Sequence, residues 1–72
     1  MIRENKLQEA VNLFELNIAE YPESANAYDS LGEAYMKNGQ VGLAIGSYEK
    51  SLVLNPENDN AREMLKRLKG GQ

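Results

Sequence analysis

The stretch that decides the fold is NAYDSLGEAYMKNG, residues 26–39. It places two tyrosines around a leucine–glycine pair, at Tyr28, Leu31, Gly32 and Tyr35. Side chains three and four residues apart share one face of an α-helix. A glycine inside a helix costs about 1 kcal/mol relative to alanine. The stretch therefore indicates a helix that crosses another helix closely at Gly32, where a missing side chain lets the backbones approach.

The chain repeats itself at a fixed interval. When the sequence is shifted by 34 residues, Phe14 falls on Tyr48, and the heptapeptide YPESANA at 21–27 falls on NPENDNA at 55–61. A period of this length is typical of repeat proteins, in which helical hairpins stack in series. The sequence thus predicts an all-α fold built from antiparallel helical hairpins, in a single domain over residues 1–72.

Turn signals divide the chain into about four helices. Pro22 and Pro56 end the first and third helices, because the residue before a proline avoids the α region. Ser24 and Asn58 are suited to cap the helices that follow them, and the sequence KNG, through Asn38 or Gly39, is suited to end the second helix in the left-handed region. The predicted helices span Glu4–Tyr21, Ala25–Lys37, Gln40–Leu54 and Asp59–Lys69.

The predicted core follows the helical period of 3.6 residues. Ala44 is expected to be the small residue that lies opposite Gly32. The core-facing residues are Leu7, Ala10, Val11, Phe14 and Ile18 in the first helix, Tyr28, Leu31 and Tyr35 in the second, Val41, Ala44, Ile45, Tyr48 and Leu52 in the third, and Ala61, Leu65 and Leu68 in the fourth.

These residues resemble the tetratricopeptide repeat family, whose pattern is aromatic-x2-Leu-Gly-x2-Tyr, then Ala-x3-aromatic, then Pro. Here the pattern reads Tyr28, Leu31, Gly32, Tyr35, Ala44, Tyr48 and Pro56. The resemblance implies a solenoid in which residues 25–58 form one complete repeat and residues 1–22 the second-helix half of a preceding repeat. It also implies a C-terminal capping helix at 59–69, and a frayed tail is expected at 70–72.

The last helix departs from the family pattern. Arg62, Lys66 and Lys69 stand where the pattern has its first aromatic residue, its glycine and its tyrosine. These charged side chains predict a helix that faces solvent and terminates the array, as repeat proteins require. At the N-terminus the helical pattern begins with the first residues of the chain. This start favours a fragment of a longer protein.

The resemblance implies a non-catalytic protein-interaction scaffold, whose first helices line a concave groove for a peptide or protein segment. Asp29 and Glu33 would make this groove acidic, so a basic or polar partner is expected. The alternative is that both carboxylates belong to a solvated helix face. By position in the repeat, the groove residues are Asn26, Asp29, Ser30, Glu33, Met36, Lys37, Asn60 and Glu63.

A second candidate surface is predicted to promote self-association. Gly42, Gly46 and Val53 share one stripe of the third helix, on a face that is usually charged, and contiguous apolar patches are rare on soluble monomers. We expect a homo-oligomer, either an isologous dimer or a swap in which another chain covers the first helix; the alternative is a neutral or engineered surface. The residues assigned to self-association are Leu13, Leu16, Gly42, Leu43, Gly46 and Val53.

Composition excludes several kinds of function. The net charge of −3 argues against a nucleic-acid partner, and no apolar run is long enough for a membrane span. The absence of histidine and cysteine removes the commonest catalytic and metal-ligating groups, so no catalytic residue, cofactor or metal is expected. The segment 55–66 lacks the glycine and glutamate of a calcium loop. With no targeting signal visible, the default location is the cytoplasm.

Overall fold

The computed structural model describes the backbone of residues 2–70 and the side chains of residues 6–70. Four α-helices account for the described chain, which confirms the predicted all-α class. Gly70 belongs to the last helix, and the rest of the expected tail, 71–72, lies outside the described residues. The helices are α1 (Ile2–Glu20), α2 (Ala25–Lys37), α3 (Val41–Leu54) and α4 (Asp59–Gly70).

The helix ends follow the local sequence signals. The Ser24 side chain accepts a hydrogen bond from the Ala27 N–H at 3.2 Å, and the Asn58 side chain accepts one from the Ala61 N–H at the same distance. Both contacts confirm the predicted N-caps. Gly39 closes α2 with φ at 82°, a left-handed conformation that glycine adopts without steric cost. These tight turns make successive helices antiparallel.

Each helix packs mainly on its neighbour in the chain, and the contact between α2 and α3 is the most extensive. The Cα positions fill a flat body of 35 × 33 × 14 Å. A body this thin has no single central core surrounded by helices. The chain is therefore a short series of helical hairpins, as its internal repeat predicts.

The buried core lies on both sides of α2. From α1 only Val11 is fully buried among the described side chains, because α1 has a helix on one side only. Val41, which was expected to face the core, is 42% exposed since it is the first residue of α3 and lies at the edge of the contact with α2. The buried cluster comprises Val11, Leu31, Ala34, Tyr35, Ala44, Tyr48, Ala61 and Leu65.

The ring of Tyr48 explains the glycine inside α2. A Cβ atom placed on Gly32 would lie 3.0 Å from both Cε2 and Cζ of Tyr48, closer than ordinary van der Waals contact. Tyr48 is only 1% exposed, so surrounding atoms hold its ring in place. The expectation that Ala44 lies opposite Gly32 was wrong. The ring of Tyr48, one helical turn further along α3, fills the space that the missing side chain of Gly32 leaves.

We expect Gly32→Ala to lower the free energy of unfolding by about 1–3 kcal/mol, because the enclosed Tyr48 ring cannot easily move away from the added methyl group. This loss opposes the gain in helix propensity of about 1 kcal/mol that alanine brings. Urea unfolding followed by far-ultraviolet circular dichroism measures the difference.

The matched control is Gly46→Ala in α3, where nothing lies within 4 Å of the added Cβ. There the propensity gain acts alone and should stabilise the fold by up to about 1 kcal/mol. Stabilisation by both substitutions would contradict the assigned role of the Tyr48 ring.

Candidate interaction surface

Two of the predicted groove residues meet where α2 and α4 come together. The side-chain amide of Asn60 donates to both carboxylate oxygens of Asp29, at 2.9 and 3.1 Å. The side-chain amide of Asn58, which precedes α4, donates to the same carboxylate at 2.9 Å. Asp29 thus joins α2 to the start of α4.

A buried serine extends this polar junction into the core. The Asn58 amide also donates to Oγ of Ser51 at 2.8 Å, and the Ser51 hydroxyl donates to the carbonyl oxygen of Ala25 at 2.9 Å. Ser51 is fully buried. Ser51 is not among the residues predicted from sequence, although its position seven residues after Ala44, on the core-facing side of α3, was a usable signal.

The two acidic residues expected in the groove, Asp29 and Glu33, differ in their burial and in their partners. Asp29 is half-buried, and its oxygens accept the hydrogen bonds from Asn58 and Asn60. Glu33 is exposed and lies 3.3 Å from the ammonium group of Lys37, one helical turn further along. An exposed ion pair of this kind contributes little stability, so Glu33 is free to meet a partner.

The other predicted groove residues are divided between exposed positions, the edge of the core and the side of α2 that faces α1. Asn26 and Glu63 are exposed. Met36 packs partly against the buried core, which leaves only part of its side chain for a ligand. Ser30, Glu33 and Lys37 line an open cavity of about 240 Å³, together with Ala10 and Phe14 of α1 and the neighbouring Ala34 of α2. This cavity was not predicted from sequence, because α1 supplies one of its walls.

Two tyrosine hydroxyls lie near acidic side chains. Burial, a 2.5 Å hydrogen bond to Glu15 and the charge of Glu15 together raise the pKa of Tyr35 to about 12. Burial likewise raises the pKa of Tyr48 to about 12, with smaller contributions from the charges of Asp29 and Glu33. Both phenols stay protonated at neutral pH and serve as structural groups, and the Tyr35 contact ties α1 to α2.

The residues assigned to self-association lie at the surface. Leu13, Leu16, Leu43 and Val53 are each more than half exposed. Gly42 and Gly46 are exposed too, with open space where a Cβ atom would stand. The outer side of α3 therefore presents an exposed stripe of small and apolar residues.

Within residues 6–70, no three acidic side chains come close enough together to hold a metal ion. Over the described backbone, no helix has the length and apolar character needed to cross a membrane.

Comparison with known proteins gives two findings. The family model of the tetratricopeptide repeat matches residues 25–58. The chain is also 34% identical, over 61 residues, to "Tetratricopeptide repeat domain-containing protein PYG7, chloroplastic" of Arabidopsis thaliana. That alignment covers 85% of this chain and 20% of the relative, so the chain spans about a fifth of the relative's length.

The different surroundings of the two acidic residues give a stability test. Asp29→Ala should lower the free energy of unfolding by about 1–2 kcal/mol, because the half-buried Asn58 amide loses an acceptor. Glu33→Ala is the matched control and should change it by less than about 0.5 kcal/mol, since its ion pair is exposed. Urea unfolding of both variants measures the difference, and equal effects would contradict a structural role for Asp29.

Proposed function

Because residues 25–58 make the chain a member of the tetratricopeptide repeat family, whose repeats generally mediate protein–protein interaction, we propose that it is a non-catalytic scaffold that binds a peptide or protein segment. The contact of Asn60 with Asp29 carries this proposal. It joins α2 and α4 into one surface, on which the exposed Asn26, Glu33 and Glu63 are available to a partner.

The charge of this surface favours a basic or polar partner. Asp29, Glu33 and Glu63 are acidic, and among the predicted groove residues Lys37 alone is basic. The Asp29 carboxylate already accepts hydrogen bonds from Asn58 and Asn60, so Glu33 and Glu63 are the residues that select for positive charge. The same acidic character disfavours nucleic acid as a ligand.

A charge reversal tests this surface. A fluorescein-labelled peptide of alternating lysine and glycine should bind the chain, and added salt should weaken the binding. The double variant Glu33→Lys/Glu63→Lys should lose about tenfold or more in affinity by fluorescence anisotropy, because repulsion replaces attraction.

The matched control is Glu9→Lys/Glu20→Lys, which changes the net charge equally but alters only α1, where both residues are exposed. Equal weakening by the two double variants would show a general charge effect and contradict the assigned surface. A matched glutamate–glycine peptide should not bind.

The exposed stripe on α3 favours self-association as a second candidate function. Gly42, Gly46 and Val53 leave a flat apolar strip onto which a second copy can pack, in an isologous dimer. A swap in which another copy covers α1 is the other form of this candidate, and it uses the exposed Leu13 and Leu16.

Light scattering behind a sizing column tests self-association. A molar mass above 8.0 kDa that persists on dilution supports this candidate. Gly46→Glu or Val53→Glu should then shift the chain toward monomer, because each places a charge on the stripe. Lys66→Glu, an exposed change on α4, is the control. A monomer at every concentration would contradict self-association.

We propose the cytoplasm as the default location. The plastid is the alternative, by analogy with the chloroplast named for the Arabidopsis relative.

A further inference from the structure

The turn between α2 and α3 contains an asparagine followed directly by a glycine, at Asn38 and Gly39. The backbone nitrogen that follows an asparagine can attack the carbonyl carbon of its side chain and close a cyclic imide. A glycine in the second position leaves that nitrogen without a neighbouring side chain that would hinder the attack. Gly39 is exposed, and nothing lies within 4 Å of the place where its Cβ atom would stand. Solvent therefore reaches the peptide bond between the two residues.

No other asparagine in the sequence has this combination. Each of the others is followed by a residue that carries a side chain, namely lysine, leucine, isoleucine, alanine, proline or aspartate. The proline after Asn55 also lacks the N–H hydrogen that the nitrogen must lose before it attacks. Asn38 is therefore the position at which this chemistry is least hindered.

The side-chain amide of Asn38 lies where three helices meet. It donates a hydrogen bond to the side-chain oxygen of Gln40 at 3.0 Å and to that of Gln8 at 3.4 Å. Gln8 belongs to α1, Asn38 directly follows α2, and Gln40 directly precedes α3. The amide thus connects the three helices through hydrogens that a carboxylate does not have.

We propose that Asn38 is a self-modification site, at which the Gly39 nitrogen displaces ammonia from the Asn38 side chain and water converts the resulting imide to an acid. The acid weakens the junction of α1, α2 and α3, because it replaces the amide that donates to Gln8 and Gln40. This inference goes beyond the binding of a partner and does not depend on it.

The reaction consumes one water molecule and releases one ammonia molecule. The Gly39 N–H loses its proton to solvent, the nitrogen lone pair forms a bond to Cγ of Asn38, and the Cγ–Nδ2 bond breaks as ammonia leaves with a proton from solvent. Water then adds across one of the two carbon–nitrogen bonds of the imide. Cleavage at Cγ leaves an aspartate, whereas cleavage at the backbone carbonyl carbon leaves an isoaspartate, in which the main chain runs through the former side chain.

The folded turn opposes this reaction. The ψ angle of Asn38 is 4°, which places the Gly39 nitrogen beside the backbone nitrogen of Asn38 rather than beside its side chain. The Gly39 N–H donates to the carbonyl oxygen of Met36 at 3.1 Å, and the Gln40 N–H donates to that of Tyr35 at 2.8 Å. Ring closure requires rotation about the Cα–C bond of Asn38, which breaks these hydrogen bonds. The modification therefore proceeds from a locally opened turn.

Mass spectrometry of the full chain, incubated in warm and mildly alkaline buffer, tests the site. Digestion after glutamate residues releases residues 34–49, in which the aspartate and isoaspartate products are separated by chromatography. We expect acid at position 38 before any other asparagine. It should form about tenfold or more slowly than in a synthetic peptide of the same sequence, because the peptide has no folded turn to open. Asn38→Gln, which closes the ring far less readily, is the control and should gain no acid there.

The substitution Asn38→Asp tests what the acid does to the fold. Its carboxylate has no hydrogen to donate, and it adds a negative charge at the C-terminal end of α2, where the helix dipole disfavours one. We expect the equilibrium constant for unfolding to rise about threefold to tenfold in urea titrations. The matched control Asn26→Asp adds the same charge at the exposed N-terminal end of α2 and should not raise it.

Four results would overturn the inference. The site is wrong if other asparagines gain acid as early as position 38, or if position 38 of the folded chain gains none long after the peptide has reacted. The role of the turn is wrong if the folded chain and the peptide react at equal rates. The role in the junction is wrong if Asn38→Asp leaves unfolding unchanged. None of these measurements involves a partner, so their outcome is independent of the proposed function.

Discussion

The contact between the Tyr48 ring and the bare backbone at Gly32 is the constraint on which the rest of the structure depends. It sets how closely α2 approaches α3, and these two helices form the most extensive contact in a body only 14 Å thick along its shortest axis. In so thin a molecule, few other apolar contacts can replace this one. The Tyr48 ring therefore sets the spacing of the hairpin formed by α2 and α3. The flanking helices α1 and α4 are positioned relative to that hairpin.

Polar contacts attach the flanking helices to that hairpin. On one side Tyr35 donates to Glu15 of α1, and on the other Asn58 and Asn60 donate to Asp29. Hydrogen bonds are directional, so they fix the register of a helix that apolar packing alone would leave free to slide. The candidate groove is thus shaped by the same side chains that hold α4 in place. The negative charge that the candidate groove offers a partner comes from the exposed carboxylates of Glu33 and Glu63, because Asp29 already accepts hydrogen bonds within the molecule.

Sequence reasoning could predict what local signals encode. The bounds of the helices, the caps at Ser24 and Asn58, and the need for close contact at Gly32 all follow from spacing and turn chemistry. It could not predict the partners of long-range polar contacts, such as Tyr35 with Glu15, because nothing in the spacing links two residues 20 positions apart. The cavity beside α1 was missed for the same reason, since its walls come from different helices.

The order of the helices gives the molecule a polarity. Because α1 is the repeat equivalent of α3, and α4 that of α2, identical copies stacked end to end would generate an open series with no symmetry to close it. Such growth leads to fibres. Arg62, Lys66 and Lys69 stand on the advancing end of that series, in place of the residues that would seat α4 on another α1. The charges of Arg62, Lys66 and Lys69 therefore disfavour such growth between identical copies.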